Sequence, residues 1–355
     1  LSANTPPHKA VIAMSGGVDS SVAAALMMEQ GYECTGFTLR LYTGEGSCSS
    51  PNDLDDARET ASRLGIPHRV LDFSDEFERQ VIRRFAEIYF QGATPNPCVI
   101  CNRCVKFNLE KLREQGLQFG CLATGHYARV EFDSAAGRYL LRKAVDPKKD
   151  QSYMLYGLDQ KQLEQARFPL GELSKQQVRK IAEEKGLPNN AKAESQDICF
   201  VPGGDYGGFI ESYTGKKSPP GDIVDLEGKP LGRHRGIIRC TIGQRRGLGV
   251  AANTPLYVAA KSATENTVTL GPESSLYSKR LTAKDINLIA LSRLDRPLRV
   301  TVKTRYLQTA QPAAAVQSGE DELSIEFDSP QRAVTPGQAA VMYEGDIVIG
   351  GGTIA

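Results

Sequence analysis

Ala13-Met14-Ser15-Gly16-Gly17-Val18-Asp19-Ser20 sits between an apolar run, residues 10–14, and the stretch Ser21-Val22-Ala23-Ala24-Ala25-Leu26-Met27-Met28. That order reads as a buried strand, a glycine turn and a helix. Two adjacent glycines let a backbone approach a ligand with no Cβ in the way. The first amides of a helix, at the positive end of its dipole, favour an anion there. Ser15 and Ser20 add hydroxyl donors. The string lacks the Gly-Lys-Ser/Thr end of a Walker loop and the G-x-G-x-x-G spacing of a dinucleotide turn, so it is a third kind of phosphate loop.

Working outward, residues 32–41 read as a second strand, 53–64 as a helix capped by Asp53, and 67–73 as a third strand. Asp75 caps a long amphipathic helix through Phe90, with Phe77, Val81, Phe85, Ile88 and Tyr89 near helical spacing. Alternation of this kind predicts an α/β fold with a doubly wound, mainly parallel sheet, whose ligands lie at the carboxyl ends of the strands. A further strand over 120–123 runs into Thr124-Gly125-His126-Tyr127, a second glycine-bearing strand end. Residues 128–142 read as a hairpin, and 173–186 as a surface helix. From Gly221 the strands are short and punctuated by glycine, and after about residue 276 the pattern is alternating β. The expected division is therefore 1–205, a small linking domain over 206–275, and a C-terminal β-barrel or sandwich over 276–355.

Thr94-Pro95-Asn96-Pro97-Cys98-Val99-Ile100-Cys101-Asn102-Arg103-Cys104 concentrates three of the eight cysteines. Its prolines predict an extended entry, with a helix starting near Cys101 and Cys98 in the loop before it. A closed zinc site would need a fourth local ligand, which is missing. Cys199 lies between an acidic stretch, Glu194-Ser195-Gln196-Asp197, and an apolar one, and read alone it is a buried inert thiol.

A chain of 355 residues with 40% hydrophobic content can bury substantial cores. No run approaches the roughly 18 apolar residues of a membrane span. Residues 1–9 carry neither an apolar signal core nor an arginine-rich pattern, so a cytoplasmic protein is expected, with an organellar one after transit-peptide removal as the alternative. Net charge is only +1, yet residues 229–246 hold six basic side chains and no acid, and 293–305 hold five against one. Two such blocks beside a phosphate-binding loop favour a nucleic-acid partner over a merely solvated surface.

The string at residues 15–20 resembles the pyrophosphate loop, or PP-loop, of the ATP pyrophosphatase superfamily, whose members cleave ATP to AMP and pyrophosphate. That resemblance implies a role for Asp19 in holding Mg²⁺. Nearly end to end, the chain is similar to the tRNA-specific 2-thiouridylases. The matching stretches are residues 15–20, 94–101, 124–127, 149–153, 195–200 and 241–249, with Arg305-Tyr306 and Pro336-Gly337-Gln338. The resemblance implies ATP contacts from residues 13–20, Leu39 and Gly125, and target-base contacts from Asn96, Pro97 and Cys98. It implies tRNA contacts from His126, Lys149, Asp150, Gln151, Arg305, Tyr306 and Gln338. Cys101 would be the nucleophile, Cys199 the persulfide carrier, and a tRNA with a wobble uridine the substrate. Sulfur would come from a persulfide donor, a cysteine desulfurase or a relay protein.

This chain departs from many relatives by carrying Asn96-Pro97-Cys98 where they have Asn-Pro-Asp. A thiol thus replaces the carboxylate that would act as general base, and the base stays unassigned. As an alternative, Cys98, Cys101 and Cys199 would ligate a [4Fe–4S] cluster with one open iron. Two rival functions remain open on the sequence, a small-molecule synthetase or amidotransferase with the same loop and a non-catalytic RNA-binding module.

Overall fold

The computed structural model describes residues 8–42, 51–188 and 198–355. Residues 194–197, ahead of Cys199, lie outside the described residues, as does Cys48. The chain forms two compact units, each discontinuous in sequence. The first takes the residues up to 81, with 98–202 and 346–348; the second takes 82–97, 203–345 and 349–355.

In the first unit, strands β1 (Lys9–Ala13), β2 (Glu33–Arg40), β3 (His68–Asp72) and β4 (Cys121–Thr124) are followed by a hairpin, β5 (Ala128–Asp133) and β6 (Arg138–Lys143), and by β7 (Ala166–Arg167). The main sheet has the order β3-β2-β1-β4-β7, and all its pairings are parallel. Val11 and Ile12 of β1 and Leu122 and Ala123 of β4 are at most 1% exposed, as befits central strands covered on both faces. Helix α1 (Val18–Glu29) makes that cover possible with small residues: Ala24 and Met27 pack with Ala10 and Ile12, while Val22 and Ala23 pack with Leu170 and Val178. The strand order reverses between β1 and β4, which opens a crevice beyond their carboxyl ends. The phosphate loop follows β1, and Gly125 follows β4.

The helix expected over 75–90 forms in three pieces, Ser74–Phe77, a wider π turn at Glu78–Ile82, and Arg83–Phe90. The cysteine-rich segment differs more. Its helix begins at Pro97, so Cys98 lies in the first turn and not in a preceding loop. Pro97 is a first-turn residue, where a ring with no N–H forfeits nothing, and it starts the helix instead of delaying it. A π turn, Asn102–Lys106, then interrupts the α-helical spacing, and a separate helix, Leu109–Glu114, starts at Asn108, whose side chain caps the Lys111 amide at 3.1 Å.

Asp346, remote in sequence, belongs to the first unit. Its carboxylate takes Arg129 Nη2 at 2.7 Å and Arg142 Nη1 at 2.8 Å, and the next two residues, Ile347 and Val348, pair with Arg142 and Leu141 of β6. The two guanidinium groups hold the Asp346 carboxyl below its ordinary value despite the opposing effect of burial.

In the second unit, β8 (Gly221–Val224), β9 (Pro230–His234), β10 (Tyr257–Ser262) and β11 (Thr267–Gly271) form a four-stranded sheet in the order β10-β11-β8-β9. Six further strands follow: β12 (Tyr277–Leu288), β13 (Leu298–Lys303), β14 (Gln311–Gly319), β15 (Glu322–Arg332), β16 (Ala339–Glu344) and β17 (Ile347–Ile354). They run in the order β12-β15-β14-β13-β16-β17, and pairing of β12 with β17 closes them into a barrel, which settles the barrel-or-sandwich choice. Leu323, Ile325 and Phe327 show the strict alternation of an inward face, each at most 1% exposed.

Candidate active site

The phosphate loop is a small network of short-range bonds. The Ser15 amide donates to Ser20 Oγ at 3.1 Å, and the hydroxyls of Ser20 and Ser21 both donate to the Gly17 carbonyl, at 3.0 and 3.1 Å. Gly17 is the N-cap of α1 and offers no side-chain acceptor to the first helical amides. Gly16 has φ +72°, and a Cβ there would lie 2.3 Å from the Asp53 carbonyl oxygen. Only glycine fits such a position. Gly125 is needed for space: a Cβ would stand 2.7 Å from the Ser20 amide nitrogen and 2.8 Å from the Asp19 carbonyl carbon. The two strand ends thus meet at the first turn of α1, as their place in the crevice requires. Met14 is buried, its carbonyl accepting from Thr38 Oγ1 at 2.7 Å, and Leu39 is half-buried one residue further along β2.

Asp19 is bound more tightly than its sequence suggested. Lys175 Nζ donates to both carboxylate oxygens, at 2.7 and 2.9 Å, and Tyr127 Oη donates to Oδ1 at 2.7 Å. Lys175 is only 9% exposed and Tyr127 2%. Neither stood out in the sequence as a functional residue. Ser174 and Gln177 form a capping box that puts Lys175 at the first helical position, where the dipole disfavours a cation. The sequence shows only a lysine where the helix dipole disfavours one; its burial against Asp19 comes from the fold. Three of the roughly four acceptor positions of the Asp19 carboxylate are filled. A magnesium ion that keeps most of its ligands as water and phosphate oxygen fits the one left.

His126 follows Gly125, its ring 6.2 Å from Phe107 and 6.1 Å from Phe168, with Nδ1 bonded to Thr124 Oγ1 at 2.8 Å. Burial, aided by the nearby Lys106 charge, pushes its pKa down to about 3. The folded protein therefore holds a neutral imidazole. The unfolded chain binds one more proton between about pH 6.5 and 3, so stability falls on acidification by up to about 1.4 kcal/mol per pH unit across that window. His126→Gln is expected to flatten the acid-side loss of melting temperature between pH 6.5 and 4.5; an unchanged pH profile would contradict the neutral assignment.

Of the neighbouring polar loop, Lys149 and Gln151 are half-buried, and Asp150 is 6% exposed. Its carboxylate accepts from the amides of Ala144 and Ser152, both at 3.1 Å, and from Ser152 Oγ at 3.0 Å. Gln151 Oε1 accepts from the Tyr127 amide at 2.9 Å. These side chains hold the loop and the tyrosine in place, with three of the roughly four acceptor positions of the Asp150 carboxylate filled.

The cysteines differ in access. Cys98 is exposed, Cys199 and Cys104 are half-buried, and Cys101 is buried at 6% exposure. Phe200, next to Cys199, packs edge-on to Phe77 at 5.6 Å between centroids. Cys34 is buried elsewhere in the unit, and loss of solvent pushes its thiol up to about 11, the mark of an inert packing residue. Among the described residues no three His, Cys, Asp or Glu side chains form a group able to hold a metal ion. Cys98, Cys101 and Cys199 therefore do not constitute a cluster cradle as arranged, and the [4Fe–4S] alternative finds no support in their geometry.

In the second unit Arg305 Nη2 donates to the Ala333 carbonyl at 2.6 Å and to Thr335 Oγ1 at 3.2 Å, with Tyr306 half-buried beside it. Gln338 Nε2 donates to the carbonyls of Thr94 at 2.9 Å and Pro95 at 3.2 Å, immediately before Asn96 and Pro97. The basic blocks are partly neutralised within the fold. Arg299 forms a forked pair with Asp328 at 2.6 and 2.9 Å, and Arg239 pairs with Glu211 at 2.8 Å. Arg245 and Arg246 make no ion pair among the described residues. They lie on a loop with positive φ at Gly243, Gly247 and Gly249.

Three family models match in succession: a tRNA methyl transferase HUP domain over residues 8–203, a tRNA methyl transferase PRC-barrel domain over 207–272, and an aminomethyltransferase beta-barrel domain over 278–354. The chain is 49% identical to the tRNA-specific 2-thiouridylase MnmA of Acetivibrio thermocellus over 356 residues, 98% of this chain and 99% of the relative. It is 46% identical to the tRNA-specific 2-thiouridylase MnmA of Clostridioides difficile, covering 98% of each. Among solved structures, an NMN synthetase from Francisella tularensis aligns with 60% of this chain and 79% of its own at 19% identity and a TM-score of 0.34, too distant to bear on the argument.

Proposed function

The chain belongs to the tRNA-specific 2-thiouridylase family, with the activity of a tRNA-uridine 2-sulfurtransferase, and from that premise we propose how its residues divide the reaction. The observation that carries the proposal is the glycine loop at residues 15–20, set at the switch point of a parallel sheet with Asp19 locked to Lys175. The loop amides and hydroxyls take the phosphates of ATP, with Leu39 and Gly125 shaping the rest of its site. The 2-oxygen of the wobble uridine attacks the α-phosphorus, pyrophosphate leaves, and the poor leaving group becomes AMP. Magnesium, held through Asp19 and the phosphates, would supply charge neutralisation on the departing pyrophosphate. Asn96, Pro97 and Cys98 receive the base.

Sulfur then arrives as a persulfide. A thiol that an external donor must load has to be reachable, and Cys199 is half-buried whereas Cys101 is buried. This gradient supports Cys199 as the carrier and Cys101 as the internal partner. The Cys101 thiolate attacks the Cys199 sulfur, a Cys101–Cys199 disulfide forms, and hydrosulfide is released to displace AMP from C2 of the base. A dithiol reductant must then restore the two thiols. We route no step through an iron–sulfur cluster.

The remaining tRNA contacts, among them His126, Lys149, Arg305 and Tyr306, are proposals of the same standing. So is a cytoplasmic location; no helix among the described residues is long and apolar enough to cross a membrane. The deciding experiment is nucleoside mass analysis of tRNA incubated with the protein, ATP, Mg²⁺ and a persulfide source. It should yield 2-thiouridine with AMP and pyrophosphate; ADP as the main product, or no thiolated base, would defeat the proposal. In a tRNA-binding titration across salt concentrations Arg305→Ala should weaken binding and lower the salt slope by about one. An unchanged slope would remove Arg305 from the phosphate contacts.

A further inference from the structure

The segment Thr94-Pro95-Asn96-Pro97 has few means of holding its own shape. Two of its four residues are prolines without an N–H, and no regular element begins before Pro97. Its backbone is held from a turn 244 residues downstream. The Thr94 amide donates to the Pro336 carbonyl at 2.8 Å, while the Thr94 and Pro95 carbonyls both accept from Gln338 Nε2. Between these bonds Gly337 lies against Thr94 with φ +89°, and a Cβ there would sit 2.8 Å from the Thr94 carbonyl oxygen. The turn itself is fixed to the barrel by bonds of Gly337 and Gln338 with Ile354, both 2.8 Å. Arg305 donates to the same turn, at Ala333 and Thr335.

From this geometry we infer that Gln338 is a positioning residue: its amide sets the segment that presents Asn96, Pro97 and Cys98 to the target base, and joins that segment to the turn that Arg305 grips. The inference rests on the proposed role of that segment in receiving the base. A direct tRNA contact by Gln338 would compete with it, since the Gln338 amide has two donor hydrogens and two carbonyls already accept from its nitrogen. A brace affects the rate once tRNA is bound, and a contact affects binding.

The test uses the full chain as wild type, Gln338→Ala, Gln338→Glu and Gln338→Lys, with tRNA affinity, single-turnover thiolation at saturating tRNA, and iodoacetamide labelling of the exposed Cys98 read by peptide mass analysis. Glutamate keeps the length but removes the donors; lysine keeps a donor. Loss of the bonds should slow saturated turnover about tenfold in the alanine and glutamate variants, with tRNA affinity held within about twofold and lysine restoring most of the rate. Cys98 labelling should rise about threefold or more in alanine and glutamate, and return toward wild type in lysine. Weakened affinity with unchanged saturated rate and unchanged labelling would overturn the brace in favour of a contact, and no change in any readout would overturn it outright. If the wild type forms no 2-thiouridine, the proposed function fails by itself, and the labelling pattern still decides the brace. Should the alanine variant not fold, the glutamate and lysine pair gives the same comparison.

Discussion

Cys199→Ser and Cys101→Ser are each expected to abolish 2-thiouridine formation, a loss of roughly a thousandfold or more, because each removes a sulfur that makes or breaks a bond. The two failures should differ. With a labelled persulfide donor, Cys199→Ser should lose the protein-bound label, whereas Cys101→Ser should keep it and accumulate it. AMP formation should persist in both, since neither thiol takes part in adenylation. Cys34→Ser and Cys104→Ser should be near neutral; Cys34 is buried with its thiol pushed up to about 11. Cys98→Asp should retain activity, as it supplies a carboxylate where the chain has an exposed thiol. Label and activity surviving in Cys199→Ser would overturn the assignment of the carrier and leave Cys98, the most accessible of the three, as the replacement.

The second large effect concerns Lys175. The residue is 9% exposed and its ammonium is bonded to both oxygens of Asp19, whose backbone forms the first turn of α1. A desolvated cation fixed at a phosphate loop can stabilise charge that builds up on departing pyrophosphate, and loss of one such group costs about 10²–10³ in rate. Lys175→Met and Asp19→Asn should each slow AMP formation to that degree while tRNA affinity stays within about twofold. Because the two side chains act as a unit, Asp19→Asn with Lys175→Met should be little worse than either alone. Rates that multiply, or a Lys175→Met enzyme with full adenylation, would show that the lysine only holds the fold. Tyr127→Phe removes one of the three bonds to Asp19 and should give an intermediate loss.

The phosphate loop and the parallel sheet were legible because their determinants are local: adjacent glycines after an apolar run, then small apolar residues at helical spacing. The barrel was legible for the same reason, as Leu323, Ile325 and Phe327 alternate within one strand. Where Pro97 was read as a breaker, the helix start was misplaced by four residues; a first-turn proline and a helix-ending proline look alike until the next turn is seen. Lys175, Tyr127 and Gln338 could not be placed in advance, because their contacts reach 156, 108 and 244 residues along the chain. Charge pairing across the fold was hidden for the same reason. The basic stretch ending at Arg305 is not wholly free for RNA, since its Arg299 closes on Asp328 of β15. Asp150, which the resemblance implies as a tRNA contact, is a buried acceptor that shapes its own loop through bonds the linear sequence does not show.

Asp346 gives this protein an order of assembly. During synthesis the nucleotide-handling residues emerge first, at about 5–20 residues per second, and could in principle begin to fold while the barrel is still being made. The hairpin carrying Arg129 and Arg142 has nearby carboxylates in Glu172 and Glu131, yet the one carboxylate that joins both arginines is Asp346, 217 residues from one and 204 from the other. A ribosome that stops short of residue 346 thus leaves the carboxylate shared by both guanidinium groups missing and the β6 edge unpaired by β17, in the part of the chain that would bind ATP. Completion of that part is a late event, since it needs residues 346–348, which follow most of the barrel.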